Sequence, residues 1–187
     1  MASFSSKTWK SRACKRFERA VANENPTAGA KLHRSLRSIE SLDVLVEWCK
    51  SRKLTVTFGN VIGQYDDEKK TITINGRWLP ETQLHILLHE CGHHLIGARR
   101  PEQRFSEGYS TGGHDDNDTP HHRVDILEEE FEAWHRGRCL ARRLNLNIDE
   151  KTWHNDRIQN LKTYMKWCLK VEGFGGKNGN KEKTKGP

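Results

Sequence analysis

Hydrophobic and polar positions recur along this chain with two different periods, and the switches between them predict its elements. Spacing near 3.6 residues marks a helix with one buried face, and spacing of two marks a strand. Residues from about Lys7 to Val21 read as a basic helix, and Asn23 to Gly29 as a break. Leu32, Leu36, Ile39, Leu42, Leu45, Val46 and Trp48 fall at roughly helical spacing, which predicts a second helix over about Ala30 to Lys50. The period then shortens. Leu54 to Phe58 alternates and is β-branched, and Val61 to Tyr65 and Lys70 to Asn75 are further short runs around the turn-like Asp66-Asp67-Glu68.

Gly76 breaks the last of these strands, Pro80-Glu81 suits a helix start, and Leu84, Leu87, Leu88, Cys91 and Leu95 carry a helix to about Gly97 or Ala98. Arg99 to Arg123 has the composition of a loop, with Pro101, Gly108, Gly112, Gly113, Pro120 and an acidic run at 115–118. Helices return over about Val124 to Leu144 and about Glu150 to Val171, and Gly173 to Pro187 reads as a disordered tail. Short strands followed by helices predict an α+β fold, a small β-sheet packed on the helix at 80–97 with further helices around it. The expected organisation is a basic helical N-terminal segment (1–53), one domain (54–171) and a basic tail (172–187).

Composition narrows this picture. With 34% hydrophobic residues and a mean hydropathy of −0.89, the core must be compact. Five cysteines, odd in number and without a C-x-x-C pair, argue for reduced thiols and against a disulfide framework or a thiolate zinc cluster. The polar, basic first residues lack the apolar stretch of a signal peptide, and no apolar run is long enough to span a bilayer, so a cytoplasmic location is expected. The net charge of +7 is unevenly placed: residues 1–53 hold twelve Lys/Arg against five Asp/Glu, and 54–171 hold sixteen against eighteen. Lys7, Lys10, Arg12, Lys15, Arg16 and Arg19 could therefore contact nucleic acid or an acidic partner, although no nucleic-acid motif accompanies them.

The chemistry concentrates in His89-Glu90-Cys91-Gly92-His93. On a helix, residues four apart sit one turn apart on the same face, so two imidazoles can grip one metal ion while the adjacent Glu reaches water bound to it. At 100° per residue His93 lies about 40° from His89, whereas Leu84, Leu87, Leu88, Cys91 and Leu95 cluster between about 160° and 260°. One side packs and the other is available to a metal. Gly92 falls near the histidine side, where it lets a neighbouring element come close. Two incidental histidines in a chain with ten is the competing reading, and the separation of faces weakens it.

A third ligand is suggested by the helix at 124–144. With Glu130 as reference, Ile126, Ala133, Trp134, Gly137, Ala141 and Leu144 lie within about 60°, so Glu130 sits in the middle of an apolar stripe. Glu128, Glu129 and Glu132 fall off it, and Trp134 is expected in the core rather than in a cleft. A carboxylate aimed into a core needs compensation, from a metal, an arginine, or a hydrogen bond to a metal-ligand histidine. Two imidazoles and one carboxylate leave the fourth zinc position to water, whose pKa zinc lowers to about 7. Glu90 would take the proton and pass it to the leaving amine, which makes the reaction amide hydrolysis. An oxyanion donor is expected from the loop, where His114, His121, His122 and Tyr109 are the candidates.

The metzincin extension is excluded, because the positions for its Gly and third His hold Ile96 and Arg99. Glu130-Phe131-Glu132-Ala133 has the E-x-x-A form of gluzincins. With the strand 71–75 and the segment Leu84 to Ile96, it resembles the ImmA/IrrE-like metallopeptidases, many of them encoded by phages and mobile elements. The resemblance covers about Leu54 to Leu144. It implies a minimal zincin-like domain, zinc held by His89, His93 and Glu130, Glu90 as catalytic base, and a protein or peptide substrate. The SprT-like peptidases are similar in the same strand-then-helix order; that resemblance implies a third His, drawn from His114, His121 or His122, and a DNA-associated role. A non-catalytic zinc-binding or nucleic-acid-binding module is the reading from another class.

Overall fold

The computed structural model describes residues 26–97 and 120–169. In chain order they form α1 (Pro26–Ser51), β1 (Thr55–Gly59), β2 (Gln64–Asp66), β3 (Thr71–Asn75), α2 (Pro80–Gly97), α3 (Pro120–Arg143) and α4 (Glu150–Cys168). The expected mixture of a small sheet with helices is present. The predicted helix at Lys7 to Val21, most of the loop after Arg99, with Tyr109 and His114, and the tail from 172 lie outside the described residues.

Proline moves two of the expected boundaries. Pro26 opens α1 and Pro120 opens α3, so Pro26 to Gly29 and Pro120 to Arg123, read from composition as break and loop, are helical. A proline's fixed φ and missing N–H suit the first helical turn, where an amide would have no partner within the helix. The helix C-termini are closed by local chemistry. At the end of α1, Lys53 turns left-handed (φ 60°), and the N–H groups of Lys53 and Leu54 return to the carbonyls of Lys50 and Cys49. Asn145 (φ 52°) and Leu146 close α3 the same way onto Arg142 and Ala141. These are Schellman-type ends that satisfy carbonyls otherwise left without partners.

β3 is the middle strand, parallel to β1 and antiparallel to β2. Its two-residue period places Ile72 and Ile74 wholly inside, while Thr73 on the other face meets the Thr57 hydroxyl at 2.8 Å. The second strand forms later than its hydrophobic run suggested. Val61 and Ile62 are exposed outside the ladder, and the pairing begins at Gln64. Among the described residues β2 pairs only with β3, which makes it an edge strand.

Ile72 and Ile74 pack with Leu84, Leu87 and Leu88 of α2, Trp134 and Leu140 of α3, and Trp153 and Leu161 of α4. Leu45 and Cys49 of α1 belong to the same cluster and are wholly buried. The charge-based boundary at residue 53 is therefore not a packing boundary: the C-terminal half of α1 is part of the core. Each fully buried leucine contributes on the order of 1.5–3 kcal/mol, which is why that half of the helix cannot behave as a solvated basic appendage.

α2 is covered on nearly every side. The leucine face packs as its spacing predicts, but His85, Ile86, His89 and Glu90 on the other side are also at most 5% exposed. Gly63, beside β2, lies against Ile86 and Glu90, and α3 and α4 bring polar partners with them: Asp156 of α4 accepts a hydrogen bond from His85 Nδ1 at 2.7 Å. The α2–α3 crossing is close because glycines line both sides of it. A Cβ on Gly92 would lie 2.0 Å from the Ala133 carbonyl oxygen, and one on Gly137 would lie 2.5 Å from that of Leu88. Gly92→Ala should thus force the helices apart, at a cost of roughly 1–3 kcal/mol or more, and draw Glu130 away from the histidines. Calorimetry and metal titration should show a lowered Tm together with weaker metal binding; an unchanged variant would mean that the crossing is not needed for the site.

Candidate metal centre

Helix geometry alone puts His89 and His93 on one face of α2, and the glycine crossing brings Glu130 of α3 against them. The ligating atoms of His89, His93 and Glu130 all lie within 4.8 Å of one another. His89 Nε2 is 3.2 Å from His93 Nε2 and 3.1 Å from Glu130 Oε2, and His93 Nε2 is 3.4 Å from Glu130 Oε1. An ion at the usual zinc–nitrogen distance of about 2.0–2.1 Å from both rings would see the two nitrogens about 100° apart, near the tetrahedral angle.

The surroundings orient these donors. His93 Nδ1–H donates to Glu129 Oε1 at 3.0 Å, which fixes the ring and leaves Nε2 facing the cluster. The His89 ring is stacked on the buried Trp134 indole, with centroids 4.7 Å apart and planes 25° apart. Trp134 is core, as expected, and at the same time one wall of the ligand site. His94, next to the second ligand, turns elsewhere and meets the Tyr65 hydroxyl at 2.9 Å.

Three acidic residues, Glu90, Glu129 and Glu130, are buried around two histidines. Burial opposes the Glu130 charge, but contact with His89 and His93 outweighs it and holds the carboxyl at about 2. Burial likewise works against a charged His93, and Glu129 and Glu130 overcome it, raising the imidazole to about 10. The Glu90 carboxyl is pushed up by burial, with His89 and His93 pulling the other way. Such an excess of buried acid is costly without a compensating cation. Glu130 Oε2 is buried without a well-directed hydrogen bond, so it still has a lone pair to give. Two imidazoles and a carboxylate oxygen fit a divalent ion, and the group can hold one.

Glu90 lies beside this group without belonging to it. The Tyr65 backbone N–H hydrogen-bonds its carboxylate, and Gly63 sits so close that a Cβ there would be 2.8 Å from Glu90 Oε1. A cavity of about 550 Å³ opens onto the cluster, walled by Gly63, Gln64 and Tyr65 on one side and by Ile126, Tyr164 and Trp167 on the other.

Of the residues singled out from sequence, the fold brings together His89, Glu90, His93 and Glu130. His121 and His122 stand on the first turn of α3, with side chains outside the described set; Tyr109 and His114 are outside it entirely. Two contributors were not anticipated. Glu129 fell off the apolar stripe of α3, yet it is 4% exposed, because α2 crosses low enough to cover both carboxylates. Tyr164 carried a faint signal, as an aromatic residue with a polar tip on the inward stripe of the last helix. Comparison with known proteins supplies no family: no family model matches the chain, and neither does any curated protein or solved structure.

Proposed function

We propose that this protein is a zinc-dependent metallopeptidase of the gluzincin type, akin to the ImmA/IrrE-like enzymes, hydrolysing peptide bonds in a protein or peptide substrate. The observation that carries the reading is the convergence of His89, His93 and Glu130 with a buried Glu90 at the wall of one open cavity. Zinc is the metal expected for two imidazoles and a carboxylate, and three protein ligands are the number that leaves a catalytic position open.

When bound, such an ion acidifies a water molecule and polarises a carbonyl. The rest falls to the chain. Glu90 accepts the proton of the attacking water and later delivers it to the departing amine, so no covalent enzyme intermediate is needed. Its raised affinity for a proton, caused by burial, suits a group that must both take and release one near neutral pH. The Tyr65 N–H and the tight contact with Gly63 keep the carboxylate aimed into the cavity. Among the described residues β2 is an edge strand beside the cavity, and an extended substrate could lie along it as an added strand. A role for nucleic acid depends on the basic residues from Lys7 to Arg19, which lie outside the described residues.

The test is metal analysis of the purified chain together with hydrolysis of an unfolded protein. Turnover should vanish with chelator and return with added zinc. Zinc that raises the Tm without any hydrolysis would instead support a structural, non-catalytic metal module.

A further inference from the structure

The cysteines among the described residues divide by what surrounds them. Cys49 and Cys91 are buried against each other between α1 and α2, sulfur to sulfur at 3.5 Å. Cys168, at the end of α4, meets the Arg123 carbonyl at 3.1 Å. Cys139 is the exposed one, and its sulfur lies 3.6 Å from Nε2 of His135, which is also exposed, one turn earlier on α3. Residues four apart share a face of a helix, so the backbone itself holds these two side chains next to each other.

That face is the outer one. With Glu130 as zero and 100° per residue, His135 falls near 140° and Cys139 near 180°, while the inward-packed Trp134, Gly137 and Ala141 stay within about 40°. Neither His135 nor Cys139 lines the cavity that opens onto His89 and Glu130. The neighbouring arginines have partners of their own: Arg136 is held by Glu132 and the Leu95 carbonyl, and Arg138 by Glu150.

The separation of sulfur and nitrogen suits a metal. Zinc sits about 2.3 Å from a thiolate sulfur and about 2.0–2.1 Å from an imidazole nitrogen. An ion at those distances from Cys139 Sγ and His135 Nε2 would see them about 110° apart, the tetrahedral angle, with their separation unchanged. Thiolate and imidazole are donors that zinc accepts and that magnesium and calcium do not favour.

We propose that Cys139 and His135 form a second metal site, a surface clamp for zinc or a comparably thiophilic divalent ion, on the face of α3 opposite Glu130. The ion displaces the thiol proton, takes one bond from sulfur and one from nitrogen, and keeps its two other tetrahedral positions for water. The site stands independently of the hydrolase reading, because it shares no ligand with His89, His93 and Glu130.

Cobalt(II) titration of the full chain tests this, since cobalt accepts zinc's geometry and a thiolate bound to it gives a charge-transfer band in the near ultraviolet. The group of His89, His93 and Glu130 contains no sulfur and cannot produce that band. The unmutated protein should develop the band, and added zinc should abolish it by displacing the cobalt. Cys139→Ser should lose both the band and one equivalent of bound metal. His135→Ala should need over roughly tenfold more cobalt to reach the same band, since losing a ligand costs more than losing a partner behind one. Both side chains are exposed, so neither substitution should unfold the chain, which thermal melts of the metal-free proteins check. No band in the unmutated protein, a band that persists in Cys139→Ser, or unchanged affinity in His135→Ala would each overturn the proposal.

Discussion

Glu90→Gln should keep its metal and lose turnover by roughly 10²–10⁴-fold, the usual worth of a positioned general base. The substitution preserves shape and volume, and Glu90 is not one of the three clustered ligands, so zinc stoichiometry should not change. Stability should hold or rise, since an amide avoids the burial penalty that pushes this carboxyl up. Metal content, Tm and single-turnover hydrolysis of one preparation give the three readings together. Turnover equal to that of the unmutated chain would remove Glu90 from the mechanism. Loss of zinc would mean that the carboxylate ligates.

Glu130→Gln should weaken metal binding by more than the 10–100-fold typical of losing a partner that only orients a ligand. Glu129→Gln, which removes the charge behind His93 Nδ1 and leaves only a neutral amide oxygen to accept from it, should fall within that 10–100-fold range and serves as the comparison. The pH dependence separates the variants further. In the metal-free protein Glu129 and Glu130 hold His93 protonated up to about pH 10, and ligation requires the neutral ring. Metal must displace that proton, so affinity measured by chelator competition should rise about tenfold per pH unit below 10. Without the Glu130 charge the rise should end at lower pH, because Glu130 is one of the acids, with Glu129 and Glu90, that raise the imidazole. A Glu130 variant with full affinity and an unaltered pH slope would exclude it as a ligand.

Much of the site could be read along the chain because its parts obey local periods. His89 and His93 share a face through the 3.6-residue repeat, and Glu130 declared itself by interrupting an apolar stripe with a charge. Gly92 was legible as a place of close approach, and the approach is that of Ala133. Glu129 escaped the same arithmetic, because a helical wheel assumes that one partner covers one side. Here α2 lies across α3 at glycine distance and buries two neighbouring acids. The second strand was misplaced for a related reason: Val61 and Ile62 have the right residue types, but strand pairing is decided by the register with β3.

By itself the chain order determined the elements, the paired imidazoles with their adjacent acid, and the inward acid of the following long helix, all of which follow from repeats a few residues long. Only the tertiary structure decided that α1 joins the core, that Glu129 stands behind His93, that Trp134 stacks on His89, and that Tyr164 from the last helix faces Glu130. These are meetings of residues far apart in sequence. They depend on how closely and at what rotation the helices cross, which the glycines permit but no period along the chain encodes.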